Sequence, residues 1–181
     1  MNILVTGTKG FVGRNLCAQL NNIKNGKARC YGDLKIEEVF EYDIDSTSEQ
    51  LDAWCQKADF VFNLAGVNRP KENVEFMKGN FGFASTLLDT LKKHHNTCPV
   101  MLSSSAQASL TGRFGNSEYG RSKRQVKIFF YNTVRIQEPR YWFIVSRIFM
   151  ANGVVPTTTV LLLHSATISL TTFLYKSVIQ V

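Results

Sequence analysis

Residues 6–13 read Thr6-Gly7-Thr8-Lys9-Gly10-Phe11-Val12-Gly13, and they lie between a short apolar run, 2–6, and a segment with apolar residues at helical spacing, 11–20. This order predicts a strand, a tight glycine turn and a helix. Glycines in such a turn let the backbone approach a pyrophosphate, whose charge the first N–H groups of the helix can meet. The position of the turn therefore favours a dinucleotide site over an ordinary glycine-rich turn.

The same alternation continues along the first two-thirds of the chain. Further strands are predicted at 39–43, 59–66 and 99–103, with helices at 49–57 and 73–95. Strands that alternate with helices form right-handed βαβ units, and these build a parallel sheet covered on both faces. We therefore expect an α/β domain over residues 1–125, with a Rossmann-like doubly wound parallel sheet.

An acidic residue at the end of the second strand usually binds the adenosine ribose of a dinucleotide. Asp43 is the best placed, and Asp45 is the second candidate. A carboxylate there repels a 2′-phosphate and favours NAD, whereas Lys9 or Arg14 could accommodate NADP. The sequence leaves NAD or NADP open as the cofactor, and it leaves open a simple loop-forming role for Asp43.

A second group of polar residues follows the fourth predicted strand. Tyr119 and Lys123 stand four residues apart and so share one helix face, and Ser105 ends the strand before them. An ammonium beside a tyrosine lowers the pKa of the phenol and makes it a usable general acid. Ser105 would polarise a substrate carbonyl. The spacing of Tyr119 and Lys123 alone is common, but its order after the glycine turn indicates catalytic ancestry.

The sequence resembles the extended short-chain dehydrogenase/reductases. The residues that carry this resemblance are the glycine turn Gly7, Gly10 and Gly13, the strand end Asn63-Leu64-Ala65-Gly66, the serine Ser105, and the pair Tyr119 and Lys123. Within that family, 64–70, 79–82 and 102–108 are similar to the capsular-polysaccharide nucleotide-sugar reductases. The similarity covers about residues 1–125.

The resemblance implies an NAD(P)-dependent reduction of the 4-keto group of a UDP-linked 2-acetamido-2,6-dideoxy sugar. It implies Ser105, Tyr119 and Lys123 as catalytic residues and Asn80 as the support of the lysine. Asn68 and Arg69 would border the substrate pocket or shape a turn. The implied cofactor-binding residues are Gly7, Lys9, Gly10, Phe11, Val12, Gly13, Asp43, Leu64, Ala65, Gly66, Asn80, Tyr119 and Lys123.

Composition narrows the class of protein. The chain has 181 residues, which suits one ordinary domain, and a formal net charge of +7 without an obvious basic cluster. We therefore expect no nucleic-acid partner. The four cysteines stand far apart, which argues against a metal site and favours a reducing cytoplasm. The first residues lack the pattern of a secretory signal.

Residues 126–181 form a compositionally different segment, which we expect to be an atypical tail. It holds five basic residues and one acidic residue, Glu138, and 148–175 carries no Asp, Glu, Lys or Arg. Its scattered Ser and Thr, with Pro156 and His164, argue against a membrane span. If the coding message for 126–181 is read one base out of register, the translated segment follows the family pattern again. We therefore expect that a single base has been lost near codon 125, with a genuinely divergent C-terminal segment as the alternative.

If residues 126–181 are translated out of frame, the sheet would be incomplete at its C-terminal end and much of the sugar-nucleotide site would be missing. The activity would then be weak or absent. An open apolar edge of the sheet would favour self-association. A homodimer, which such enzymes can form, is the other expected assembly. Two alternatives stay open. The chain could be a non-catalytic remnant that binds a dinucleotide, or it could carry epimerase or dehydratase chemistry on the same scaffold.

Overall fold

A computed structural model describes residues 1–28, 34–67, 70, 72, 74–137, 143–147 and 160–162. Strands are β1 (Asn2–Thr6), β2 (Glu38–Tyr42), β3 (Phe60–Asn63), β4 (Val100–Ser104), β5 (Phe143–Arg147) and β6 (Val160–Leu162). Helices are α1 (Phe11–Lys24), α2 (Ser48–Lys57), the short turn α3 (Val74–Phe76), α4 (Phe83–Lys93) and α5 (Glu118–Gln137). A π-helix, Met77–Gly82, joins α3 to α4, and two 3₁₀ helices, Ala106–Ser109 and Gly112–Phe114, precede α5.

The strands form one sheet in the order β2-β1-β3-β4-β5-β6. The first five are parallel, whereas β6 runs antiparallel to β5. The chain crosses from β1 to β2 on one side and then returns to place β3 on the other side of β1. This reversal creates a crevice at the carboxyl ends of β1 and β3, where ligands bind in open α/β sheets. The predicted parallel α/β fold is confirmed.

Alternate side chains of the strands build a core on each face of the sheet. Leu4 and Val61 face α2, α4 and α5, whereas Ile3 and Val5 face α1. Because neighbouring residues of a strand point to opposite faces, both cores arise from nearly continuous apolar runs. This burial on both faces fixes the strand register, and with it the positions of the residues at the strand ends.

Helix α2 begins at a complete capping box. The side chain of Thr47 accepts a hydrogen bond from the Gln50 N–H, and the Gln50 side chain accepts one from the Thr47 N–H at 2.9 Å. Two otherwise unpaired donors are thereby satisfied at the helix start. The cap fixes the path of the chain from the end of β2 into α2.

An aromatic group links α2 to the edge of the crevice. The rings of Phe40 and Trp54 are stacked with centroids 5.6 Å apart, and Tyr42 meets Trp54 edge-on at 6.4 Å. On its other side Tyr42 stacks on Phe83 at 5.5 Å. These four side chains, called the aromatic group below, connect β2, α2 and α4 beneath the crevice.

Helix α5 continues through position 125, where the sequence pattern changes. Val126 and Phe130 belong to the core and are almost fully buried. Strand β5 then extends the sheet beside β4, although the sequence predicts no strand there. Apart from β6, the uncharged run 148–175 lies outside the described residues. Over the part of the chain that is described, no helix is both long and apolar enough to cross a membrane.

Candidate functional site

The glycine turn lies where β1, α1 and the end of β3 meet. Gly7 adopts a left-handed conformation with φ of +76°, and its N–H donates to the Tyr42 carbonyl at 2.9 Å. A Cβ at Gly7 would lie 2.7 Å from the Ala65 nitrogen, and one at Gly13 would lie 2.2 Å from the Gly7 carbonyl oxygen. Side chains at either position would push these segments apart, so the turn requires glycine there.

The start of α1 leaves backbone donors for a ligand. Gly10 is the N-cap residue and offers no side chain, and the Arg14 N–H makes the first helical bond to its carbonyl at 2.9 Å. Within the described chain, the N–H groups of Phe11, Val12 and Gly13 have no acceptor. Free N–H groups and the positive end of the helix dipole suit a pyrophosphate.

Asp43 lies directly after β2 and borders the glycine turn. Its Oδ2 accepts a hydrogen bond from the Lys9 N–H at 2.6 Å, and its Oδ1 accepts one from the Ile44 N–H at 2.8 Å. The Lys9 ammonium lies 2.8 Å from Asp45 Oδ2, and this contact holds the pKa of Asp45 below its ordinary value. Asp43 therefore places a carboxylate beside the turn, while Lys9 is already paired.

A buried polar pair fixes the end of β3. The Thr6 hydroxyl donates to Asn63 Oδ1 at 2.9 Å and accepts a hydrogen bond from the Ala65 N–H at 3.2 Å. Both Thr6 and Asn63 are almost fully buried. Since buried polar groups need partners, these bonds set the path of 64–66 as it leaves the sheet.

Asn80 lies in the π-helix and is 3% exposed. Its Oδ1 accepts a hydrogen bond from the Val67 N–H at 2.9 Å, and its Nδ2 donates to Ser122 Oγ at 2.9 Å and to the Val67 carbonyl at 3.3 Å. No hydrogen bond joins Asn80 directly to Lys123 among the described residues. Asn80 instead holds Ser122, the neighbour of Lys123, together with the loop after β3.

The structure brings Ser105, Tyr119 and Lys123 to the same side of the sheet. Ser105 follows β4 and caps the first 3₁₀ helix, where its Oγ accepts a hydrogen bond from the Gln107 N–H at 3.3 Å. The Lys123 nitrogen lies 5.9 Å from the centroid of the Tyr119 ring and donates to the Ser103 carbonyl at 3.4 Å. Phe76 also packs on Tyr119, with its ring centroid 5.6 Å from that of the tyrosine.

The pKa values of this group correct one expectation from the sequence. The pKa of Tyr119 is raised above its ordinary value because burial outweighs the opposing hydrogen bond with Ser105. The sequence predicts a lowered pKa from the neighbouring ammonium. Burial also lowers the pKa of Lys123 to about 8. The phenol is therefore protonated at neutral pH, which is the form that donates a proton.

The glycine turn, Asp43 and the group Ser105, Tyr119 and Lys123 line one open cleft of about 1340 Å³. This volume exceeds the roughly 300–1,000 Å³ of a site for one drug-sized ligand, and so it has room for a dinucleotide with a second molecule. Of the residues predicted from the sequence, the cleft is lined by Gly7, Gly10, Phe11, Val12, Gly13, Asp43, Leu64, Ala65, Gly66, Ser105, Tyr119 and Lys123.

The remaining predicted residues lie elsewhere. Asn80 is buried behind Gly66, and Lys9 and the exposed Arg14 are not among the lining residues. Asn68 and Arg69 lie outside the described residues. Among the residues that are described, His, Cys, Asp and Glu side chains form no group of three that could hold a metal ion.

Several side chains of the site are not singled out by the sequence, and three of them make hydrogen bonds that shape it. Gln107 and Ser117 line the cleft and are hydrogen bonded to each other at 2.6 Å. Ser122 Oγ accepts a hydrogen bond from the side-chain amide of Asn80. Ser122 lies within the segment 119–123, whose regular spacing was a usable signal. Gln107 and Ser117 carry no such spacing, because their contact depends on how the two 3₁₀ helices fold back.

The comparisons with known proteins identify the family and the fold of the chain. The model of the NAD dependent epimerase/dehydratase family matches residues 3–137. A UDP-2-acetamido-2,6-beta-L-arabino-hexul-4-ose reductase of Pseudomonas aeruginosa is 37% identical over 124 residues, which make up 68% of this chain and 29% of that protein.

Two solved structures show the same fold. The capsular polysaccharide assembling protein CapF from Staphylococcus aureus has a TM-score of 0.61 and 32% identity, over 82% of this chain and 35% of that one. A UDP-glucuronic acid 4-epimerase from Bacillus cereus, solved with NAD, has a TM-score of 0.64 at 18% identity, over 81% of this chain and 55% of that one. The chain spans about a third of the length of the reductase and of CapF.

Proposed function

The chain belongs to the NAD dependent epimerase/dehydratase family, and from that premise we propose that it is a nicotinamide-dependent reductase of a nucleotide sugar. The substrate would be a UDP-linked 2-acetamido-2,6-dideoxy sugar with a 4-keto group, used in capsular polysaccharide synthesis. The observation that carries this proposal is the open cleft that both the glycine turn and the group Ser105, Tyr119 and Lys123 line. The relative of 37% identity, a reductase of a UDP-hexulose, supports the substrate class.

The residues of the cleft fit a dinucleotide. The free N–H groups at the start of α1 would hold its pyrophosphate. The two glycines keep the turn close to its surroundings, because a Cβ at Gly7 would collide with the Ala65 backbone and one at Gly13 with the Gly7 carbonyl. Asp43 would accept hydrogen bonds from the adenosine ribose, and its negative charge would repel a 2′-phosphate. Because Lys9 is paired with Asp45, we propose NAD rather than NADP as the cofactor.

When bound, the reduced nicotinamide supplies a hydride to the carbonyl carbon of the sugar. Tyr119 donates its phenol proton to the carbonyl oxygen, so that the ketone becomes an alcohol. Ser105 can donate its hydroxyl proton to the same oxygen, because the bond from the Gln107 N–H uses only a lone pair of the Ser105 oxygen. Lys123 stabilises the phenolate that remains, because its ammonium lies close to the Tyr119 ring.

A test of this proposal separates binding from chemistry. Titration with NADH, followed by fluorescence, measures cofactor binding, and nicotinamide absorbance follows reduction of the UDP-linked 4-keto sugar. Tyr119→Phe should lower turnover by about a hundredfold or more while NADH binding is kept. Tyr131→Phe is the matched control, because Tyr131 lies on the same helix and is 48% exposed. Equal turnover in the wild type and in Tyr119→Phe would contradict the proposal.

The alternative is a dinucleotide-binding protein without turnover. Two observations favour it: the composition changes after residue 125, and the family match ends at residue 137. NADH binding with no reduction of any nucleotide sugar is the result that this alternative predicts. Release of an epimerised or dehydrated sugar without net NADH consumption would instead indicate the related chemistries of the same scaffold.

Location and assembly belong to the proposal as well. We place the protein in the cytoplasm, because three of its cysteines, Cys17, Cys55 and Cys98, are free thiols buried in the core. Homodimer formation or self-association is the further expectation, and size-exclusion chromatography with light scattering measures it directly.

A further inference from the structure

Gln107 lies in the first 3₁₀ helix at the border of the cleft, two residues after Ser105. Its backbone N–H donates to Ser105 Oγ at 3.3 Å, and its side-chain Oε1 accepts a hydrogen bond from Ser117 Oγ at 2.6 Å. The residue is half-buried and lines the same cleft as Tyr119. Gln107 is therefore held at both ends beside the proposed reacting group.

Ser117 fixes the orientation of the Gln107 amide at the border of the cleft. The Ser117 oxygen accepts a hydrogen bond from the Gly120 N–H at 2.9 Å, so its hydroxyl proton is available for the Gln107 carbonyl oxygen. Because the amide is planar, Nε2 then points away from Ser117. Within the described part of the chain no acceptor pairs with this Nε2.

We propose that Gln107 is a specificity-determining residue that presents its amide N–H groups to an oxygen of the sugar next to the reacting carbonyl. The inference rests on the proposed function, since it requires a nucleotide sugar in this cleft. The ligand chemistry follows from the geometry: a fixed pair of donors selects a hydroxyl or acetamido oxygen and rejects a sugar without an acceptor there.

The test compares how tightly the NAD-saturated protein binds UDP-N-acetylglucosamine and UDP alone, measured by calorimetry. The difference between these two affinities isolates the sugar. In Gln107→Met the side chain keeps its length and loses its donors. In Ser117→Asp the carboxylate still accepts the Gly120 N–H, but it attracts the Gln107 Nε2 and turns the amide oxygen toward the cleft. In each variant the ratio of the affinity for UDP-N-acetylglucosamine to that for UDP should fall about tenfold. The affinities for UDP and NADH and the melting temperature should stay unchanged.

An unchanged preference in both variants overturns the inference, and so does a wild-type protein that binds UDP-N-acetylglucosamine no better than UDP. Failure of the proposed function gives a different result: either the wild type does not bind NADH before any sugar is added, or it binds NADH but does not reduce the UDP-linked 4-keto sugar. Loss of the preference in Gln107→Met but not in Ser117→Asp would overturn the orienting role of Ser117.

Discussion

Gly66 and Asn80 approach each other so closely that a Cβ on the glycine would lie 2.5 Å from Asn80 Oδ1. The same Cβ would lie 3.0 Å from the Lys123 nitrogen. A single missing side chain thus makes room for both the amide that holds Ser122 and the ammonium beside Tyr119. The loop after β3 and the helix α5 can meet at the cleft only because residue 66 is a glycine.

Gly66→Ala should therefore damage the site more than most glycine substitutions. We expect a loss of about 1–3 kcal/mol in the free energy of unfolding, because Asn80 or Lys123 must move, and weaker NADH binding. Gly82→Ala is the matched control, since a Cβ there would meet no atom within 4 Å. Denaturant unfolding and NADH titration of both variants check this. Equal effects of the two substitutions would contradict the proposed crowding at Gly66.

Lys123 should make the stability of the protein depend on pH. Its pKa is about 8 in the folded chain against an ordinary 10.5. Between these values the unfolded state binds a proton that the folded state lacks, so the free energy of unfolding rises with pH. The rise begins as pH passes about 8 and amounts to about 3 kcal/mol when complete.

Lys123→Met should remove this rise, because the buried side chain no longer titrates. Denaturant unfolding of both proteins from about pH 7 to about pH 10 measures the difference between their curves. The buried thiols, each with a pKa of about 12, act in the opposite direction at high pH but are shared by both proteins. Lys78→Met, at an exposed position, is the control. Parallel curves for wild type and Lys123→Met would contradict the prediction.

Thr6 should contribute to stability through both of its hydrogen bonds. Thr6→Val keeps the shape of the side chain but leaves Asn63 Oδ1 and the Ala65 N–H without their partner. We expect a loss of about 1–3 kcal/mol, the cost of unsatisfied buried polar groups. Thr6→Ser keeps the hydroxyl and should lose less. The prediction is wrong if thermal unfolding ranks Thr6→Ser below Thr6→Val.

Asp43 should set the choice between the two nicotinamide cofactors. We expect the wild type to bind NADH at least about tenfold more tightly than NADPH, because the carboxylate repels a 2′-phosphate. Asp43→Asn should reduce this preference, since the amide carries no charge and can donate a hydrogen bond. Fluorescence titrations with both cofactors give the ratio. A wild-type preference for NADPH would overturn the assignment of NAD.

The positions of the glycine turn, Asp43 and the pair Tyr119 and Lys123 at the cleft could be predicted, because each depends on local order or helix spacing. Contacts between distant segments could not. The Gln107 amide, in the first 3₁₀ helix, meets Ser117 beyond the second one, and Thr6 meets Asn63 on the neighbouring strand β3. The raised pKa of Tyr119 was missed for the same reason, since burial depends on which side chains, such as Phe76, cover the ring.

The aromatic group under the crevice gives the protein an intrinsic optical reporter. Trp54 is one of two tryptophans in the chain, and it touches Tyr42, whose ring lines the cleft. Excitation of Trp54 would pass energy to a reduced nicotinamide held nearby, so quenching of its emission would record occupancy without any added label. Trp142→Phe would leave Trp54 as the only donor and assign the signal to the crevice.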